Sequence, residues 1–257
     1  DIYTLGHTAL AELLQDDVVV EEKVDGSQFS FGLIHGEYTC RSKRKDQTPP
    51  LTNRMFKLAV ESTRSLSLQP GWIYRGEFLA KPKHNILAYS RVPRNYVVIF
   101  DINTAFEEYL SPELKQLEAN RLGLEVVPLL SLGHIFSWSQ LEDLLETESF
   151  LGGLKIEGIV VKNYQRYGAD KKVLMGKYVR EDYKETKATA NPMAGDMMRG
   201  LITRYKTEAR WQKAVQHLRE SGLLEESPRD IGALIREVKR DIEDECYEEI
   251  KRILFKW

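Results

Sequence analysis

Two periodicities divide this chain. Up to about residue 180, short runs rich in Val, Ile, Tyr and Phe recur, and several alternate apolar with polar. They are DVVVEEK (17–23), SQFSFGLI (27–34), EYTCRS (37–42), GWIYRGEFLA (71–80), NYVVIFDI (95–102), EGIVVKNY (157–164) and VLMGKYV (173–179). Such runs predict strands, and LIHGEYTCR predicts a hairpin that turns at His35-Gly36. Helices punctuate the region. Ser111-Pro112 supplies an N-cap and a proline at the first helical position, with Gly123 as the stop. Ser139 with Glu142 reads as a capping box ahead of LEDLLE. After about residue 186 the period becomes helical. Trp211, Ala214, Val215 and Leu218 fall at i, i+3, i+4 and i+7. Ser227-Pro228 then opens a long helix with the stripe Ile231, Leu234, Ile235, Val238, Ile242, Cys246, Ile250 and Ile253. No strand-like run occurs beyond that boundary.

Composition changes this picture little. A chain of 257 residues, 42% apolar and 30% charged, can bury a real core. The net charge of −2 gives no global reason to bind a polyanion, so any such binding must come from local patches. Charge is split within the helical part: seven Lys/Arg against two Asp/Glu over 187–219, then ten acidic against four basic over 225–249. Cys40 and Cys246 form no motif, and a reducing, cytoplasmic compartment is expected. YVVIF and VVPLLSLG are far too short to span a membrane. No signal-peptide pattern is read at the start, and the absence of an initial Met suggests that a few residues are missing.

Candidate chemistry begins at Lys23, delivered off the end of an apolar strand, with Glu21 and Glu22 before it and Asp25-Gly26 after it. A free lysine is only about 0.1% neutral near pH 7.5. To act as a nucleophile it must be desolvated or set beside other positive charge. An exposed turn with a solvated lysine is the simpler reading of Lys-x-Asp-Gly alone. Four further segments follow in order: YRGEFL with Glu77, VVIFDI with Phe100 and Asp101, EGIVVK with Glu157 and Lys162, and LMGKYVR with Lys177.

Together these five segments resemble the covalent nucleotidyltransferase superfamily, which includes DNA ligases, RNA ligases and mRNA capping enzymes. Over roughly residues 15–185 they look most like the ATP-dependent RNA ligases of the nick-sealing repair branch. The resemblance implies an α+β fold. Its nucleotidyltransferase domain would have antiparallel sheets and flanking helices over 1–186, followed by a small all-helical domain over 187–257. It also implies the reaction: lysyl-AMP forms from ATP with Mg²⁺ or Mn²⁺, AMP passes to an RNA 5′-phosphate, and a 3′-hydroxyl displaces it.

The residue roles implied by the resemblance follow the same chemistry. Lys23 is the nucleophile, and Lys177 neutralises the α-phosphate. Glu77 holds a ribose hydroxyl. Phe100 stacks on the base, with Tyr96 and Val98 as packing or a substitute. Glu157 and Asp25 hold the metal directly or through its waters. Glu22 either helps fix the base or is a solvated strand end. In CRSKRKDQ, Arg41 is the expected phosphate contact, with Lys43 and Arg44 as rivals. Many ligases carry Lys-x-Lys in the last segment. Here Met175 replaces the first lysine, so either a single lysine suffices or Lys162 or Arg180 supplies that charge. His7 and His84 receive no role. The helical C-terminal part, in place of a β-rich domain, favours the RNA-repair type, and its basic stretch with Tyr205 and Trp211 either faces RNA phosphates or is the solvated side of a bundle. The expected partners are RNA ends, in a nicked duplex or a single strand, with no membrane; a monomer is expected, although no residue fixes the oligomeric state. A DNA ligase, a GTP-using capping-type transferase and a non-catalytic relative stay open as alternatives.

Overall fold

The computed structural model describes residues 2–43, 46–48, 54–180 and 197–255. The chain divides into two compact units, Asp1–Arg180 and Glu181–Trp257. The boundary expected at 186 lies outside the described residues.

The first unit is α+β. One sheet is ordered β1–β11–β10–β2–β9, from Tyr3–Thr4, Val173–Val179, Gly158–Tyr167, Val18–Lys23 and Leu129–Gly133. The other is ordered β4–β3–β5–β6–β7, from Glu37–Ser42, Ser27–Ile34, Ile73–Phe78, Val97–Ala105 and Glu108–Tyr109, with β8 (Glu125–Val126) beside β6. Pairing is antiparallel except for β1 on β11 and β8 on β6. The β3–β4 hairpin turns at His35 (φ 53°) and Gly36 (φ 81°), both left-handed, as a two-residue turn with the twist of its strands requires.

Each sheet buries one face against helices. Phe29, Phe31, Tyr74, Phe78, Ile99 and Ile102 pack with α1 (Lys57–Arg64) and α2 (Pro112–Arg121). Val18, Val20, Ile159 and Val161 pack with Leu141 of α3 (Trp138–Leu144). Alternation then puts the remaining side chains on the opposite faces. On the first sheet these are Glu21, Lys23, Val160, Lys162, Met175 and Lys177; on the second they include Gln28, Ser30, Arg41, Arg75 and Glu77. These two polar faces meet where Lys162 reaches Asp101 at 2.9 Å. The inner faces of the two sheets thus meet through charged side chains rather than through an oily core.

Some predicted details shift. Ser111 caps α2 and Gly123 follows it with φ 70°, as expected. The box ahead of LEDLLE starts two residues earlier than predicted: the Gln140 side chain accepts from Ser137 N, so Ser139 lies inside the helix. Gly26 does not serve a left-handed turn. A Cβ there would meet Phe78 O at 2.9 Å, so glycine permits close backbone packing.

The second unit comprises α4 (Met197–Tyr205), α5 (Glu208–Glu220) and α6 (Ile231–Phe255). Ala214, Leu218 and Leu234 form its core with Trp211, Val215 and Val238 against them. The predicted stripe of α6 is wider than its buried face, since Ile231 and Ile235 are exposed. Tyr205 is buried with its hydroxyl on Glu249, and Arg210 is buried on Asp241, so neither meets solvent as an RNA contact. Lys213 likewise pairs with Asp241 at 3.0 Å and Glu245 at 2.6 Å. Much of the split charge is thus neutralised within this unit. No helix among the described residues is long and apolar enough to cross a membrane, and both cysteines are buried thiols without a bridge.

Candidate active site between the two sheets

Lys23 closes β2 on the inner face, with Gly158 directly across the ladder. Its Nζ lies 2.5 Å from Glu157 Oε2, and both side chains are mostly buried. Burial works against the ammonium. Glu157, with Asp25 and Glu77 behind it, outweighs this and holds the Lys23 pKa above its ordinary value. Burial likewise pushes Glu157 up, opposed by Lys23 and, further off, Lys177. We take the pair as ionised, because at this distance each charge is the other's replacement for water. Lys177 stands one strand beyond, across from Val160. Gly158 is required by this geometry: a Cβ would meet Tyr178 O at 2.3 Å and Val179 Cα at 2.9 Å.

Across the cleft, Glu77 sits on β5 opposite Gln28 and Val98. Gly76 before it lets β6 approach, since a Cβ would meet Val98 O at 2.6 Å. The β5–β6 register shifts between Arg75 and Gly76, a bulge that leaves Phe100 without a direct partner. Phe100 and Asp101 thereby both turn toward the first sheet. The half-buried Phe100 ring lies 5.8 Å from Lys162 Nζ, and Asp101 bonds both Lys162 and Tyr164. Tyr96 does not share this face; it packs against the core on the other side of the sheet.

Asp25 is placed by contacts that its motif does not reveal. Its Oδ2 accepts from Ile86 N and Leu87 N, both at 2.8 Å, while Oδ1 takes only a 3.3 Å contact from Asn85. Its own amide donates to the buried Tyr89 hydroxyl at 2.8 Å. His84 accepts from Ala80 N through Nδ1, which assigns the proton to Nε2 and makes it a donor to Ser27 Oγ. Loop 80–91 is therefore clamped onto the turn that follows the lysine. Asp25→Ala leaves two backbone donors, one buried at Leu87 and one part-buried at Ile86, without this acceptor. It is expected to lower stability by about 1–3 kcal/mol in urea unfolding.

Three expectations need correction. Glu22 is not a solvated strand end: it is buried and accepts from Ser149 Oγ at 2.5 Å and Phe150 N at 3.2 Å. Lys162 is not available to a phosphate. Its ammonium is buried and already bonded to Glu21, Asp101 and the Phe100 carbonyl, at 2.7, 2.9 and 2.8 Å. Asp101 and Glu21 keep it charged against the effect of burial, well above its ordinary pKa. Arg180 is held by Leu145 O at 2.8 Å and Glu146 at 3.2 Å, so neither candidate stands in for the lysine missing at Met175. His7 caps a short turn through Ala9 N and stacks on Tyr3.

Arg41 is exposed on β4, on the inner face, because its neighbour Cys40 belongs to the core. Across the sheet it aligns with Ser30, whose other neighbour is Arg75. The sequence reading passed over Arg75, although its spacing of two from Glu77 already put both on one face. Arg44 lies outside the described residues. Among the described residues no three or more His, Cys, Asp or Glu converge on a metal position. The site offers Glu157 and the less engaged oxygen of Asp25. That set suits a hydrated Mg²⁺ or Mn²⁺ that takes its other ligands from water and phosphate.

The comparisons agree with this architecture. The pattern of the RNA ligase family matches residues 16–179. No curated protein sequence matches the chain. Among solved structures, Naegleria gruberi RNA ligase with PPi is similar at 19% identity and a TM-score of 0.54, covering 71% of this chain. A mutant of that ligase with ATP and Mn is similar at 18% identity and a TM-score of 0.52, over the same share. The matched region is 56% of the length of those ligase chains. At these identities the structures establish the nucleotidyltransferase fold, and the sequence match establishes the lineage: the chain belongs to the RNA ligase family.

Proposed function

We propose that this chain is an ATP-dependent RNA ligase that joins a 5′-phosphate to a 3′-hydroxyl through lysyl-AMP and an adenylylated RNA end. One observation carries the reading: Lys23 ends a strand inside a polar cleft, paired with Glu157 at 2.5 Å, opposite the Glu77 and Phe100 strands. Membership of the family and the ATP, AMP and Mn carried by mutants of the Naegleria ligase support it.

In the first step Lys23 Nζ loses a proton and attacks the α-phosphorus. The Nζ–P bond forms as the P–O bond to pyrophosphate breaks, which needs alignment and charge neutralisation more than covalent help. Lys177, on the same face, neutralises the α-phosphate. Phe100 provides a stacking wall, with Val160 on the facing sheet, and Glu77 accepts from a ribose hydroxyl. Glu157 and Asp25 would hold Mg²⁺ or Mn²⁺, whose positive charge offsets that of the phosphates. Arg41, and Arg75 beside it, face the phosphates of ATP or of the RNA end. In the second step the 5′-phosphate oxygen of RNA takes the adenylyl group from Lys23. The 3′-hydroxyl then displaces AMP, forming the phosphodiester. The two buried thiols fit a reducing, cytoplasmic setting, and the first unit contains the residues of one whole site, which suits a monomer.

Incubation with α-labelled ATP or GTP, followed by nicked RNA or DNA, tests the proposal. Label from ATP retained through denaturation, with sealing of 5′-phosphate RNA ends, is the expected result. Label from GTP instead would indicate capping-type chemistry, and sealing of DNA alone a DNA ligase. No label from either would leave a nucleotide-binding relative.

A further inference from the structure

Lys115 lies on α2, remote in sequence from every motif segment, yet its side chain is only 1% exposed. Its ammonium donates to Glu21 Oε1 at 2.5 Å and to the Phe100 carbonyl at 2.8 Å. Lys162, on the strand beside that of Glu21 in the first sheet, reaches the same two residues, at 2.7 and 2.8 Å. Two ammonium groups therefore grip one backbone carbonyl, and one carboxylate bridges both ammonium groups. With Asp101 the cluster holds two positive and two negative charges.

A hydrophobic side chain would fill the Lys115 position without the desolvation cost of a buried charge. A buried lysine here calls for a geometric reason, and the position of its partners supplies one. Phe100 lies in the bulge where the β5–β6 register shifts, without a direct partner on β5. Glu21 stands two residues before Lys23 on the same face of β2. The Glu21–Lys115–Phe100 link therefore spans from the nucleophile strand to the stacking ring.

We infer that Lys115 is a positioning residue for the nucleotide, fixing the Phe100 ring relative to Lys23 by holding Glu21 and the Phe100 carbonyl together. The inference rests on the proposed roles of Lys23 and Phe100. Lys115 touches neither substrate nor reacting atoms, so its loss acts on nucleotide binding more than on the chemical step.

The experiment measures adduct formation against ATP concentration, with urea unfolding alongside, for wild type, Lys115→Met and the double variant Glu21→Gln/Lys115→Met. A shift of the base wall by a fraction of an ångström should raise the ATP concentration for half-maximal adduct formation by about tenfold. The rate at saturating ATP should fall less. The double variant removes one charge of each sign and restores neutrality. It should regain stability while its ATP requirement stays raised. It also carries the test if Lys115→Met alone fails to fold. A wild-type ATP requirement in a folded variant would overturn the inference. So would a requirement that recovers with stability in the double variant, since Lys115 would then be structural only. If wild type itself forms no adduct, the fault lies with the ligase reading beneath it.

Discussion

Lys23→Ala is expected to abolish label uptake from α-labelled ATP, by at least about 10⁴-fold, while sealing of a pre-adenylylated strand survives in part. The amine is the proposed nucleophile of this step, and its removal would leave that role unfilled at the end of β2. In the proposed sequence of steps, the later ones use the amine only as a carrier. Under the proposed roles, an RNA end that already holds AMP would need the cleft, Lys177, Glu157 and Asp25, but not Lys23. The fold should tolerate the change, because the lysine ends its strand and faces a cleft. Its loss does leave Glu157 buried without its cation, and a modest stability loss is expected for that reason. If the alanine variant still takes up label from ATP, or loses both activities equally, the assignment of Lys23 fails.

Glu157→Ala is expected to give the second largest effect, with a direction in pH that separates it from a general loss. In the wild type Lys23 is held above its ordinary pKa, so the neutral amine increases about tenfold with each pH unit below that value. Adduct formation at low ATP, which reports on the free protein, should therefore rise with pH through the neutral and alkaline range. Burial alone would depress the Lys23 pKa; Glu157 is the largest influence raising it. Removing Glu157 leaves burial in place, and the rising limb should move to lower pH. The plateau should fall by about 10²–10³-fold, because a carboxylate proposed to hold the metal at the phosphates is gone. A limb that stays in place, or moves to higher pH, would contradict the electrostatic account of this pair.

Most strands were legible because their inner and outer faces differ in polarity. Segments 27–34, 37–42 and 173–179 match the predicted runs residue for residue. The edge strand Leu129–Gly133 was read only as an apolar run, with Pro128 obscuring where the strand begins. Helix α1 carried no cap signal and was missed; its N-cap, Phe56, makes no side-chain hydrogen bond. At the site, Lys23, Glu77, Glu157 and Lys177 were legible as charges on strands or at their ends. Their contacts were not. Glu21 meets Lys115 across 94 positions and Lys162 across 141, and Asp25 meets Leu87 across 62. No local period encodes such pairings, because they arise only when distant segments are brought together: β10 pairs beside β2, α2 reaches β2, and loop 80–91 folds onto Asp25. Lys162 shows the consequence: beside Glu157 in the sequence it looks like a phosphate cation, and in space it is the anchor of a buried cluster.

The central claim is that AMP becomes bonded to one lysine at the end of β2. Incubation with α-labelled ATP and Mg²⁺, denaturation, and mapping of the labelled peptide address it directly. Acid-labile AMP on Lys23, within VVVEEKVDGSQF, is the expected result. Label on any other residue, or protein recovered without label, would contradict it.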